Sequence, residues 1–207
     1  MKNYYFQTGF TLIEIVVTIS IFVILSMGIM GLVGTVLRDS NRQGSSIANA
    51  DQSRKLVAQI TKELRNAVTG DNGAYAVGTV NNQELVFYSD IDSDTGVERV
   101  RYYLSSGKLY RGVIEPTGSP VGYSGAESSR VVQNDVANNA STPIFYYYNN
   151  LYDDIVDNPL TQPVNNAQVT YIKVNLQIFK KTTADPNGYF TVSSGTALRS
   201  LKTNLGN

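Results

Sequence analysis

An apolar run from Ile15 to Leu37, entered through a single carboxylate at Glu14, constrains this chain more than any other feature. The run contains no Asp, Glu, Lys or Arg, and about 20 apolar residues suffice to cross a bilayer as a helix. An acidic side chain at the centre of a membrane helix costs about 2.5–3.5 kcal/mol on insertion scales, so a carboxylate at the mouth of such a run calls for a partner. Gly28, Gly31 and Gly34 recur every third residue in the second half of the run. Small residues let membrane helices approach closely, while each glycine costs about 1 kcal/mol relative to alanine in a helix interior. The spacing therefore serves either close helix packing or a segment softened for unwinding.

The residues before the run are polar (Lys2, Asn3, Gln7, Thr8) and end in Gly9, followed by Phe10. A secretory signal carries its small-residue cleavage site after the apolar core; here the only junction of that kind, Gly9-Phe10, lies before it. Through Gly9-Phe10-Thr11-Leu12-Ile13-Glu14, the N-terminus resembles a type IV prepilin. The alternative reading of the run is an uncleaved signal anchor with Glu14 reaching the headgroups. The resemblance implies cleavage between Gly9 and Phe10 by a prepilin peptidase, N-methylation of Phe10, and a helix kept as anchor and polymerisation surface. It also implies that Glu14 pairs with the Phe10 amine of a neighbouring subunit during assembly. Pilins often place a proline in this helix; here no proline occurs before Pro116.

Composition narrows the function further. The 207 residues carry 17 basic and 17 acidic side chains, no His and no Cys. Thiol nucleophiles, imidazole bases and Cys/His metal sites are thereby excluded, and the balanced charge argues against nucleic acid as a partner. No cofactor is implied, and no acid–base pair marks an enzyme. Some pilins fasten their C-terminal region with a disulfide, which this chain lacks.

Beyond Leu37, Ile47, Leu56, Val57, Ile60, Leu64 and Val68 recur at helical intervals, with Asp51 set to pair with Lys55. Thr69-Gly70-Asp71-Asn72-Gly73 reads as a stop, with Gly70 as a left-handed cap. The chain then turns β-prone: Glu84 to Tyr88, Glu98 to Leu104, Lys108 to Val113 and Pro143 to Tyr148, with Ser105-Ser106-Gly107 as a hairpin turn. Ile172, Val174, Leu176 and Ile178 alternate with Tyr171, Lys173, Asn175 and Gln177 as a half-buried strand. Thr196 to Lys202 reads as a final strand. The expected organisation is a leader (1–9), a transmembrane and polymerisation helix (10–37), an amphipathic continuation (38–69) and a β-rich head (70–207). The fold class is α+β and pilin-like, a long helix packed on an antiparallel sheet.

Within the head, Asp90, Asp92 and Asp94 alternate as in the first half of a calcium loop. The match stops there, because Thr95 stands where the turn glycine belongs and Arg101 where the bidentate Glu belongs. An acidic hairpin turn between Tyr88 and Val97 is the plain reading, although some pseudopilins bind calcium elsewhere in their heads. Tyr146-Tyr147-Tyr148 should alternate across a sheet, with Tyr147 on one face. Asp153, Asp154 and Asp157 read as a solvated acidic loop. Lys62 to Ala67, Tyr102-Tyr103-Leu104, Leu109-Tyr110-Arg111 and Leu198 to Lys202 are similar to J-type minor pseudopilins and related minor pilins.

The resemblance as a whole implies a minor pilin or pseudopilin of a type IV pilus or type II secretion-like filament. Its partners would be other pilin subunits, the prepilin peptidase and methylase, the inner-membrane assembly platform and the membrane itself. It would sit in the inner membrane as a single-pass protein, leader cytoplasmic and head outside. The rival is a pilin-anchored adhesin or ligand-binding module, for which an aromatic-lined concave pocket would speak.

Overall fold

The computed structural model describes residues 9–92, 94–152, 157–180 and 188–198. The chain divides into two compact units, Met1–Ser45 and Ser46–Asn207. A single α-helix, α1 (Leu12–Arg65), contributes to both.

In the second unit, the helical residues buried are Ser53, Leu56, Val57, Ile60, Thr61 and Leu64. These recur at intervals of three and four, so they share one face. Burying each large apolar side chain contributes about 1.5–3 kcal/mol, and this stripe joins the core of the head directly. Ile47 and Val68, expected to extend it, are exposed. Asp51 is met by Arg54 at 3.5 Å rather than by Lys55.

The helix stops at Arg65, short of the expected Thr69, because its next backbone groups are taken elsewhere. The Val68 N–H donates to the Tyr88 carbonyl at 3.0 Å, drawing the chain alongside a strand. Gly70 is not the left-handed residue; Gly73 is, at φ 81°. What Gly70 supplies is space, since a Cβ there would lie 2.9 Å from the Tyr88 ring.

Two antiparallel sheets follow. The first runs in the order β1 (Val77–Asn81), β2 (Glu84–Ser89), β3 (Glu98–Ser105), β4 (Lys108–Ile114) and β5 (Ser128–Gln133). The second comprises β6 (Phe145–Tyr148), β7 (Tyr171–Phe179) and β8 (Tyr189–Ala197). The β3–β4 turn is Ser106-Gly107, with φ of 49° and 69° at the two positions. Positive φ at both residues is what a type I′ hairpin demands, and glycine meets it without a steric cost.

Alternation works as expected in β7: Ile172, Val174, Leu176 and Ile178 are fully buried while their neighbours are half-exposed. Tyr147 enters the common core with Phe87, Val100, Tyr102 and Leu109. Tyr148, on the other face, is also buried, packed against Tyr152 and Tyr171. It donates to Asp157, which Lys173 also approaches at 3.4 Å, so Asp157 is a bonded group rather than a merely solvated one. That hydrogen bond from Tyr148 holds the Asp157 carboxyl below its ordinary range. Asp153 and Asp154 lie outside the described residues. Of the expected last strand, Thr196 and Ala197 end β8, Leu198 is buried, and residues 199–202 lie outside the described residues.

One buried polar residue clasps the second sheet to the loop before it. The Asn138 amide donates to the carbonyls of Thr142, Pro143 and Asn175 at 2.9–3.2 Å and accepts from the Gln177 N–H at 2.7 Å. Net contributions of about 0.5–1.5 kcal/mol per bond set the expectation for Asn138→Ala: a loss of about 2–4 kcal/mol, read as a lower denaturant midpoint with unchanged slope.

Candidate functional site: the N-terminal apolar helix

Gly9 and Phe10 precede α1 and are exposed. Thr11 caps the helix, its hydroxyl accepting from the Glu14 N–H at 3.3 Å and its carbonyl from the Ile15 N–H at 3.3 Å. Thr11-x-x-Glu14 has the spacing of a capping box. The helix therefore begins at Leu12, not at Phe10 as the continuous apolar pattern implied. Glu14 lies in the first turn, where the exposed N–H groups of a helix favour a carboxylate by about 0.3–1 kcal/mol. The site is thus an exposed glycine–phenylalanine junction outside the helix, followed at once by a capped helix with one acid in its opening turn.

From Leu12 to Arg38 the helix is long and apolar enough to cross a membrane. Its large side chains are exposed on every face, with Leu12, Ile13, Phe22, Ile24, Met27 and Met30 each showing two-thirds or more of their surface. The hydroxyls within it fold back on the backbone: Thr18 donates to the Glu14 carbonyl at 2.6 Å, Ser20 to Val16 at 2.8 Å and Thr35 to Leu32 at 2.8 Å. Such back-bonding satisfies a hydroxyl in surroundings that offer no other acceptor. Gly28, Gly31 and Gly34 do not interrupt the helix, and a Cβ at each would meet open space.

The other acidic constellation sits in the head. Asp90, Asp92 and Asp94 lie in the loop between β2 and β3, which is a hairpin because Ser89 pairs with Glu98. The structure brings Asp90 and Asp92 to Glu98, and Asp94 to Glu98 and Glu115. Neither Glu98 nor Glu115 stands out in the sequence as part of this cluster. The available signal was Glu98 two residues before Val100 and four before Tyr102, hence on the same face of β3 as both.

Residues 6–30 match the family model for the prokaryotic N-terminal methylation motif. The N-terminal segment carries that motif. It spans Gly9, Phe10, Glu14 and about the first two-thirds of the apolar helix. No curated protein matches the chain. Among solved structures, the chain is similar to one from the GspK-GspI-GspJ complex of the enterotoxigenic Escherichia coli type 2 secretion system. The identity is 11% and the TM-score 0.43, over 73% of this chain and 97% of that one.

Proposed function

We propose that this protein is a structural subunit, a minor pilin or pseudopilin, of a type IV pilus or type II secretion-like filament. The observation that carries the reading is the methylation motif laid over a helix apolar on all faces, with an exposed Gly9-Phe10 junction directly before its cap. In this reading a prepilin peptidase cuts between Gly9 and Phe10, and the new Phe10 amine is methylated. The helix then holds the subunit in the inner membrane, head outside, until the assembly platform transfers it into a filament. There its apolar surface is covered by the helices of other subunits. A junction outside the helix suits proteolysis, since a peptidase needs backbone that is free of helical hydrogen bonds.

The rival, a displayed ligand-binding head, draws less support. The groove of about 590 Å³ beside the helix of the head is lined by Asp51, Gln52, Lys55, Gln59, Arg130 and Val132 among others. With Leu56 and Val131 that lining mixes apolar with charged and amide groups and contains no aromatic ring, whereas the rival calls for an aromatic-lined pocket.

Intact mass and N-terminal sequencing of the protein expressed with and without a prepilin peptidase test the reading. Peptidase-dependent loss of Met1 to Gly9, leaving a methylated Phe10 first, is the expected result. A chain uncut under both conditions would sink it and leave a signal-anchored protein.

A further inference from the structure

The hairpin between β2 and β3 contains a buried acid whose charge the protein leaves half answered. Glu98 opens β3 on its inward face, in line with Val100 and Tyr102, and its residue surface is 0% exposed. One carboxylate oxygen, Oε2, accepts the Ile91 N–H at 2.8 Å. The other, Oε1, is buried with no hydrogen-bond partner. An unmet buried polar atom is destabilising, and more so when it is charged.

Four acidic side chains gather around it among the described residues. Oxygens of Asp90, Asp92 and Glu98 lie within 4.8 Å of one another, and so do oxygens of Asp94, Glu98 and Glu115. Glu98 belongs to both groups. None of Asp92, Asp94, Glu98 and Glu115 forms a salt bridge among the described residues. Burial, reinforced by the nearby charges of Asp92 and Glu115, holds the Glu98 carboxyl above its ordinary range. A proton on Glu98 would relieve that one group and leave four more carboxylates converging on it. A divalent cation bound at Glu98 would meet its buried oxygen together with the carboxylates of either group.

We propose that this cluster is a calcium site centred on Glu98, with Oε1 as its buried ligand and the hairpin aspartates and Glu115 supplying the other carboxylates. Calcium takes six to eight oxygens at about 2.3–2.6 Å, so oxygens on opposite sides of the ion stand roughly 4.6–5.2 Å apart. The spacing of the two groups meets that limit. Zinc and its relatives prefer nitrogen and sulfur ligands, and the chain has neither His nor Cys. Magnesium demands near-ideal octahedral geometry at shorter distances and keeps most of its waters, which a crowd of carboxylates on a hairpin does not favour. The Asp-x-Asp-x-Asp run fails as a self-contained calcium loop because its remaining ligands come from outside it. Glu98 follows on the next strand, and Glu115 is brought over by the pairing of Arg99 with Ile114.

The test uses the full chain in detergent micelles, stripped with chelator and titrated with calcium chloride, followed by calorimetry and thermal melting. Partly exposed carboxylate sites of extracellular modules bind with dissociation constants of about 10⁻⁴–10⁻³ M, so saturable binding in that range and a rise in the melting temperature are expected. Glu98→Gln should weaken binding at least tenfold. This substitution keeps the shape and removes a buried charge, so the variant should melt no lower than the wild type in chelator. Asp92→Asn, at an exposed position, should weaken binding without altering the calcium-free melting temperature. Magnesium at equal concentration should produce a smaller rise. No saturable binding by the wild type, or unchanged affinity in both variants, would overturn the proposal. This outcome is independent of whether Gly9-Phe10 is cut.

Discussion

Replacing Glu63 by alanine is expected to destabilise the head by about 3–5 kcal/mol, the usual cost of stripping one partner from a buried ion pair. Glu63 lies in the last turn of α1, and its carboxylate accepts from Arg111 Nη2 at 3.0 Å and from the Tyr102 hydroxyl at 2.9 Å. Arg111 Nε closes the triangle by donating to the Tyr102 hydroxyl at 3.1 Å. The side chains of Glu63 and Arg111 are only 11% and 9% exposed, so water cannot replace the lost partner. Burial, with the Glu63 carboxylate alongside, pushes the Tyr102 hydroxyl well above its ordinary range, which keeps it a neutral donor. Denaturant unfolding of the full chain in micelles, followed by the tyrosine near-ultraviolet signal, measures the loss. Glu63→Gln should cost less, because its amide oxygen still accepts from Tyr102. A double variant, Glu63→Leu with Arg111→Met, should recover much of the loss, because it removes both charges together. A change below about 1 kcal/mol for Glu63→Ala would mean that the triangle does not hold the helix end to β3 and β4.

Glu14→Val is expected to leave membrane insertion and cleavage intact while nearly abolishing entry into a filament. The expectation rests on the proposed role as a filament subunit. An amine and a carboxylate about 4 Å apart attract by about 4 kcal/mol at an effective dielectric of 20, roughly three decades in an equilibrium. In the precursor, Glu14 sits in a capped first turn, so valine removes a helix-end charge worth only about 0.3–1 kcal/mol to the isolated chain. The two consequences therefore differ greatly in size. Shearing filaments from cells and comparing the variant's content with its amount in the membrane separates them. Wild-type incorporation of the variant would rule out a register role for Glu14.

Much of this molecule was legible because its signals are local. An uncharged apolar run and a glycine–phenylalanine junction act within one or two turns of chain, so no distant residue can change what they mean. The same holds for β2, β3, β4 and β7, whose β-branched and aromatic runs stand between Ser, Asp and Gly punctuation. Strands β1, β5 and β8 were not legible, because VGTVN, SSRVVQ and YFTVSSGTA carry weak patterns of their own. They become strands by pairing with neighbours already in place, and that pairing is a property of the sheet.

The sequence by itself determined the long apolar helix, the candidate cleavage junction, the acid at the mouth of the run and the α+β class, since chain-local sterics and solvation decide each of them. Tertiary structure alone decided the rest. It ended the helix at Arg65 by giving Tyr88 the Val68 N–H, and it drew Glu63, Tyr102 and Arg111 into one triangle from positions up to 48 residues apart. It also set Glu98 and Glu115 beside three aspartates whose own spacing falls short of a cation site. The physical reason is common to all three: a buried charge or backbone group takes its partner from whatever the fold brings within about 3 Å, and sequence separation does not enter that distance.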